Sequence, residues 1–137
     1  MSRLFHISAK DHNAVLLMAE LARAFADETF VSLQDIAGQL HISHGYLEEV
    51  AGSLKRSGLI QGKQGPGGGY RLAKHPESIS LEEILTALEG PVALVDCQSS
   101  ATPCPVEGTC TSKNVWRDLQ QTITSSLKQT TLAHVIK

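Results

Sequence analysis

Apolar residues return every three or four positions from Ser8 onward, the spacing that lays one face of a helix against a core. The run SAKDHNAVLLMAELARAF puts Ala14, Val15, Met18, Leu21, Ala22 and Phe25 on one such face. Asp11, near its start, suits the positive end of a helix dipole. Ser32-Leu33-Gln34-Asp35 reads as a capping box that opens a second helix, with Leu33, Ile36, Ala37 and Leu40 inward. His41-Ile42-Ser43 forms a tight turn, and Ser43 caps a third helix, GYLEEVAGSLKRS, in which Leu47, Val50, Ala51 and Leu54 keep the period. Gly58 stops that helix in the left-handed conformation that glycine enters without steric cost.

The period then changes. Leu59-Ile60-Gln61 and Tyr70-Arg71-Leu72 flank the bend Lys63-Gln64-Gly65-Pro66-Gly67-Gly68-Gly69, which predicts two brief strands in a hairpin. Two short helices joined by a three- or four-residue turn and followed by a hairpin make a winged helix-turn-helix. A second capping box, Ser80-Leu81-Glu82-Glu83, opens a helix with Leu81, Ile84, Leu85 and Leu88 inward, ended by Gly90. Residues 91–111 show no sustained period, and so long a loop is uncommon in a compact domain unless it is functional or disordered. From Ser112 a long helix carries Val115, Trp116, Leu119, Ile123 and Leu127 as one stripe. Thr131 then caps a short turn holding Leu132, Val135 and Ile136. A lone amphipathic helix wants a partner, either its own domain or a second copy of the chain. The expected fold is mainly α. A winged helix-turn-helix DNA-binding domain spans 1–90, a cysteine loop 91–111, and a long dimerisation helix with a C-terminal turn 112–137.

Composition narrows the function. Hydrophobic residues make up 42% of the 137 and aromatics only 4%, so aliphatic helices must supply the core. A net charge of −2 argues against a nonspecific nucleic-acid coat. Yet Lys55, Arg56, Lys63, Arg71 and Lys74 fall in one stretch without an acidic residue, the footprint of a focused phosphate contact or of a solvated charged face. Gly67-Gly68-Gly69 lacks the Lys-Ser/Thr of a phosphate-binding loop, and no acid–base constellation points to an enzyme. The start of the chain lacks a signal-peptide pattern and no segment reaches transmembrane length, so a cytoplasmic location without membrane contact is the default. The only cysteines, Cys97, Cys104 and Cys110, sit within the aperiodic loop at C-x6-C-x5-C spacing. That spacing fits neither paired CxxC zinc ligands nor a thioredoxin-type motif. An iron–sulfur cluster, zinc, thiol sensing and inert thiols all stay open on spacing alone.

The ordered set GYLEEVAGSLKRSGLI, GPGGGYRLAK, ISLEEILTALEG and the cysteine loop resembles the Rrf-two family of winged helix-turn-helix transcriptional regulators (IscR-, NsrR- and RirA-like), over nearly the whole chain. The resemblance implies a homodimer that binds double-stranded operator DNA. In many members it also implies a two-iron or four-iron iron–sulfur cluster on three loop cysteines, here Cys97, Cys104 and Cys110. Some members complete the cluster with a histidine three residues after the third cysteine, but that position is Lys113, useless as a ligand while protonated. Others recruit an acidic residue from the first helix of the other subunit. Aligning Asn13-Ala14-Val15 with their run puts His12 there, with Asp11 as the competing donor. Phosphate contacts are expected from Ser43, Tyr46, Lys55, Lys63 and the wing residues Gln64, Gly65, Pro66 and Gly67, Gln64 standing where a basic residue is common. Base reading is expected from His44, Gly45 and Glu48. The expected function is a cytoplasmic, homodimeric repressor-type regulator whose DNA binding follows a cluster sensing iron, nitric oxide or redox state. The alternative is a cluster-free thiol-based redox regulator of the same fold.

Overall fold

Serine oxygens set the starts of the first four helices. In the computed structural model, which describes residues 7–95, 105–106 and 108–137, Ser8 accepts the Asp11 N–H at 3.1 Å to open α1 (Ala9–Arg23). Ser32 accepts the Asp35 N–H at 3.4 Å to open α2 (Leu33–Leu40), and Ser43 accepts the Tyr46 N–H at 3.1 Å to open α3 (His44–Arg56). Ser80 and Glu83 form a reciprocal box at the start of α4 (Leu81–Glu89), with both bonds at 3.1 Å. The box expected at Ser32 is only half made. Asp35 is one methylene shorter than the glutamate such a box uses, and no bond returns from it to Ser32. Gly58 ends the α3 segment at φ +78°, as its position predicts.

Between α3 and α4 lie strands β1 (Ile60–Lys63) and β2 (Gly69–Leu72), antiparallel in register from Ile60 opposite Leu72 to Lys63 opposite Gly69. A third segment joins them: the Val31 N–H donates to the Tyr70 carbonyl at 2.8 Å and the Tyr70 N–H to the Val31 carbonyl at 2.9 Å. The hairpin is therefore tied to the chain just before α2. Beyond the cysteine loop come α5 (Lys113–Gln129) and the short α6 (Leu132–Val135).

Leu17, Met18, Leu21, Ile36, Leu47, Val50, Leu54, Ile79, Ile84 and Leu132 are completely enclosed in one core drawn from α1, α2, α3, α4, α6 and the turn at Pro76–Ser78 with its flank. Two residues of the expected α1 face sit at its margin. Val15 is only half-buried, and Phe25 lies past the helix end in a short 3-10 turn, edge-on to the His75 ring at 5.3 Å. Leu17 occupies the interior instead, because α1 packs against both α3 and α4 and so buries a broader face than a single stripe. The stripe on α5 divides. Ile123 and Leu127 face Leu85 and Ile7 across a cleft of about 450 Å³. Val115, Trp116 and Leu119 remain 53%, 38% and 45% exposed.

Candidate nucleic-acid interface and cysteine loop

The three residues His41, Ile42 and Ser43 turn the chain from α2 into α3, with His41 in the left-handed region at φ +57°. This sharp turn stands the first turn of α3 on the surface. Ser43, His44, Gly45 and Glu48 are exposed there, while Leu47, Val50, Ala51 and Leu54 anchor the opposite face. His44 Nδ1 lies 3.1 Å from Glu48 Oε1, one helical turn away. Gly45 has open space where a side chain would stand. Tyr46 is half-buried against the core, so its ring is shared between packing and surface.

The wing tip, Gln64 to Gly67, is exposed, and the Gly68 N–H closes the bend by donating to the Gly65 carbonyl at 2.9 Å. The stretch of basic residues that looks unopposed in sequence is partly committed in space. Lys74 Nζ sits 3.1 Å from Glu83 Oε1. Arg71 donates to Gln61 Oε1 at 3.3 Å and to the Glu28 carbonyl at 3.5 Å, and its guanidinium lies 4.6 Å from the centre of the Phe30 ring. Lys63 approaches the same ring at 5.7 Å. Arg56 bonds Ser53. Lys55 and Lys63 are the exposed ammonium groups of the stretch that form no ion pair among the described residues.

Of the cysteine loop, Cys97 and Cys104 lie outside the described residues. Cys110 is half-buried, with its Sγ 3.5 Å from Ser112 Oγ. Hydrogen bonding from the Ser112 side chain and backbone, helped by the Lys113 amide and charge, holds its thiol below the ordinary cysteine value. A thiol so placed loses its proton more readily, and the thiolate is the form that binds a soft metal or reacts with an oxidant. Among the described residues no three His, Cys, Asp or Glu side chains gather as a metal site. Gln120 on α5 holds the root of the loop. Its Oε1 accepts the Leu94 N–H at 3.0 Å, and its Nε2 donates to the Val92 carbonyl. Nothing in the sequence marks this clamp, since glutamine on a polar helix face carries no signature.

The two competing donors on α1 part company in space. His12 is exposed, with its backbone N–H bonded to the Ser8 carbonyl. Asp11 is 7% exposed beneath Glu89, and its Oδ1 has no hydrogen-bond partner. Burial, and then the neighbouring Glu89 carboxyl, raise its pKa above the usual carboxylate value, against the Ser8 bonds that lower it. Asp11 is thus turned into the chain's own interior, whereas His12 is open at the surface.

The family model described as "Rrf2: Iron-dependent Transcriptional regulator" matches residues 7–137. The helix-turn-helix regulator IscR of Yersinia pseudotuberculosis is 34% identical over 130 residues, which cover 95% of this chain and 78% of that protein. Among solved structures, the IscR of T. potens is 32% identical with a TM-score of 0.74, covering 96% of this chain and 86% of that one. The global cysteine regulator CymR of B. subtilis is 28% identical with a TM-score of 0.78, covering 97% of each chain.

Proposed function

The chain belongs to the Rrf2 family of transcriptional regulators, and from that premise we propose that it is a homodimer whose operator binding is governed by an iron–sulfur cluster on Cys97, Cys104 and Cys110. It is a DNA-binding regulator and not an enzyme. No described helix is long and apolar enough to cross a membrane. In this reading the protein works in the cytoplasm.

The observation that carries the DNA-binding half is the surface built by the first turn of α3 and the wing tip. Ser43, Tyr46, Lys55, Lys63 and the Gln64–Gly67 backbone serve the phosphates, and His44, Gly45 and Glu48 face the bases. Because neutralised phosphates release counterions, operator affinity falls steeply with salt. Lys63→Ala weakens binding to every sequence and reduces the slope of log affinity against log salt by about 1 per copy bound. Lys74→Ala, which removes an ammonium already paired with Glu83, leaves the slope unchanged. Equal slopes for the wild type and Lys63→Ala overturn the phosphate role.

Dimerisation rests on Val115, Trp116 and Leu119, three large apolar side chains left uncovered in the first half of α5. Burying what remains exposed of each against a second copy contributes on the order of 1 kcal/mol. Leu119→Asp therefore splits the dimer in sedimentation equilibrium, whereas a wild-type chain that is monomeric at micromolar concentration refutes the assembly.

For the cluster, the donor chemistry fits: Cys110 is a thiol held toward its thiolate form, and the exposed His12 would offer an imidazole nitrogen from the opposite subunit. Such a cluster would supply one-electron redox chemistry, with His12 as the donor most easily displaced by a small ligand. The test is iron content and the visible spectrum of anaerobically purified protein. Any single Cys→Ala change abolishes the absorption, and His12→Ala shortens its lifetime in air without dissociating the dimer. An unaltered lifetime with His12→Ala, together with bleaching by Asp11→Ala, moves the ligand one residue back. Stoichiometric zinc without iron refutes the cluster. The lowered Cys110 thiol also favours a second reading, a cluster-free thiol switch, which the iron-free but DNA-binding outcome would select.

A further inference from the structure

We propose that His44 is the positioning residue through which Glu48 reads DNA, an inference that rests on α3 being the helix presented to the major groove. A free glutamate is a poor reader beside two phosphate chains. Its charge is repelled, and its side chain must be ordered at a cost in entropy. The His44–Glu48 contact answers both difficulties. One turn apart on the same face, Nδ1 and Oε1 meet at 3.1 Å, with the two side chains 48% and 57% exposed and hence on the solvent side of the helix. Nδ1 and Oε1 stand within hydrogen-bonding distance, and an Nδ1–H turned toward Oε1 on DNA would partly offset the negative charge and hold the carboxylate over the N-terminal turn of α3. Recognition helices make their base contacts from that end.

One carboxylate oxygen is then committed and Oε2 is left as an acceptor. In the major groove the matching donor on a base edge is the cytosine amino group. Gly45 lies between the pair in sequence, and the space its side chain would fill is open, which leaves room for a base pair to approach the carboxylate. Among the described residues His44 is the only ion-pair partner of Glu48, and the basic residues of the same helix, Lys55 and Arg56, stand at its far end. The specificity element assigned here is thus the His44–Glu48 pair, with a cytosine as its ligand.

The experiment is selection from a randomised duplex library by the full-length protein, at fixed pH and salt, for the wild type, His44→Ala, His44→Gln, Glu48→Ala and the double alanine variant. The wild type enriches a cytosine at one position in each half-site. His44→Ala and Glu48→Ala each lower that preference by about fivefold or more, and the double variant is no worse than either single one. His44→Gln, whose amide can also donate to the carboxylate, retains part of the preference. His44→Ala that keeps the cytosine while Glu48→Ala loses it overturns the pairing and leaves DNA recognition by α3 intact. The same holds if His44→Ala weakens all sequences equally, which would make His44 a phosphate contact. A wild-type protein that selects no sequence at all refutes the DNA-reading function, and the inference with it.

Discussion

Gly69→Ala destabilises the protein and abolishes tight operator binding while leaving most of the helical content in place. Gly69 has φ +140°, a conformation that side-chain-bearing residues rarely adopt. A Cβ there would fall 2.1 Å from the Val31 carbonyl oxygen, 2.5 Å from its carbon and 3.0 Å from the Ser32 nitrogen. All three are backbone atoms, so no rotamer change relieves the clash. The segment that must move is the one that holds the wing, through the reciprocal Val31–Tyr70 hydrogen bonds, and that caps α2 through Ser32. Two such bonds and the backbone strain together place the cost on the order of 3–5 kcal/mol. Gly67→Ala is the contrast: Gly67 also has positive φ, +75°, but nothing lies within 4 Å of its added carbon, so only the conformational cost of about 1–2 kcal/mol remains. Urea denaturation and operator binding by gel shift check both variants. Equal stability for Gly69→Ala and wild type would mean that the wing is not docked on Val31.

The helix-turn-helix was legible because its information is local. Serines before apolar periods, glycines after them and a change of period at the wing each act within a few residues, and the structure follows them closely at Ser43, Ser80 and Gly58. What stayed hidden depends on residues distant in sequence. Val31 shows no strand alternation, and its pairing follows only from the approach that Gly69 permits. The basic stretch from Lys55 to Lys74 looks unopposed because Glu83, which neutralises Lys74, belongs to the next helix. His44 and Glu48 stand at helical spacing, so their contact could be read from the chain, whereas which of Asp11 and His12 faces outward required the position of Glu89 on α4. The apolar stripe of α5 marked a buried face without saying how many partners share it. Ile123 and Leu127 turn to the chain's own α4 side, and Val115, Trp116 and Leu119 do not.

Leu132→Ala tests how α5 is joined to the DNA-binding part of the molecule. Leu132 is fully enclosed in the same core as Ile79, Ile84 and Leu17, although it comes more than forty residues after α4. The chain is stitched in place on either side of it. The Leu132 N–H donates to the Ile79 carbonyl at 2.8 Å, and the Leu81 N–H donates to the Thr130 carbonyl at 2.9 Å. The helix before it is therefore fastened twice, at Gln120 to the root of the cysteine loop and at its end to the residues that start α4. Under the proposed function, passing a change at the loop along α5 requires both fastenings to hold. Truncating a buried leucine costs about 2–5 kcal/mol, a large share of the roughly 5–15 kcal/mol that stabilises a domain of this size. The urea midpoint should fall by about 1 M or more. Leu132→Met, which conserves volume, should cost less than about 1.5 kcal/mol. Below the unfolding transition, the alanine variant should also show a smaller difference in operator affinity between iron-replete and iron-depleted protein, because the far end of α5 is then free to move on its own. If stability falls but the affinity difference stays at the wild-type value, α5 does not transmit the state of the loop, and the signal must pass from residues 92–94 directly into α4.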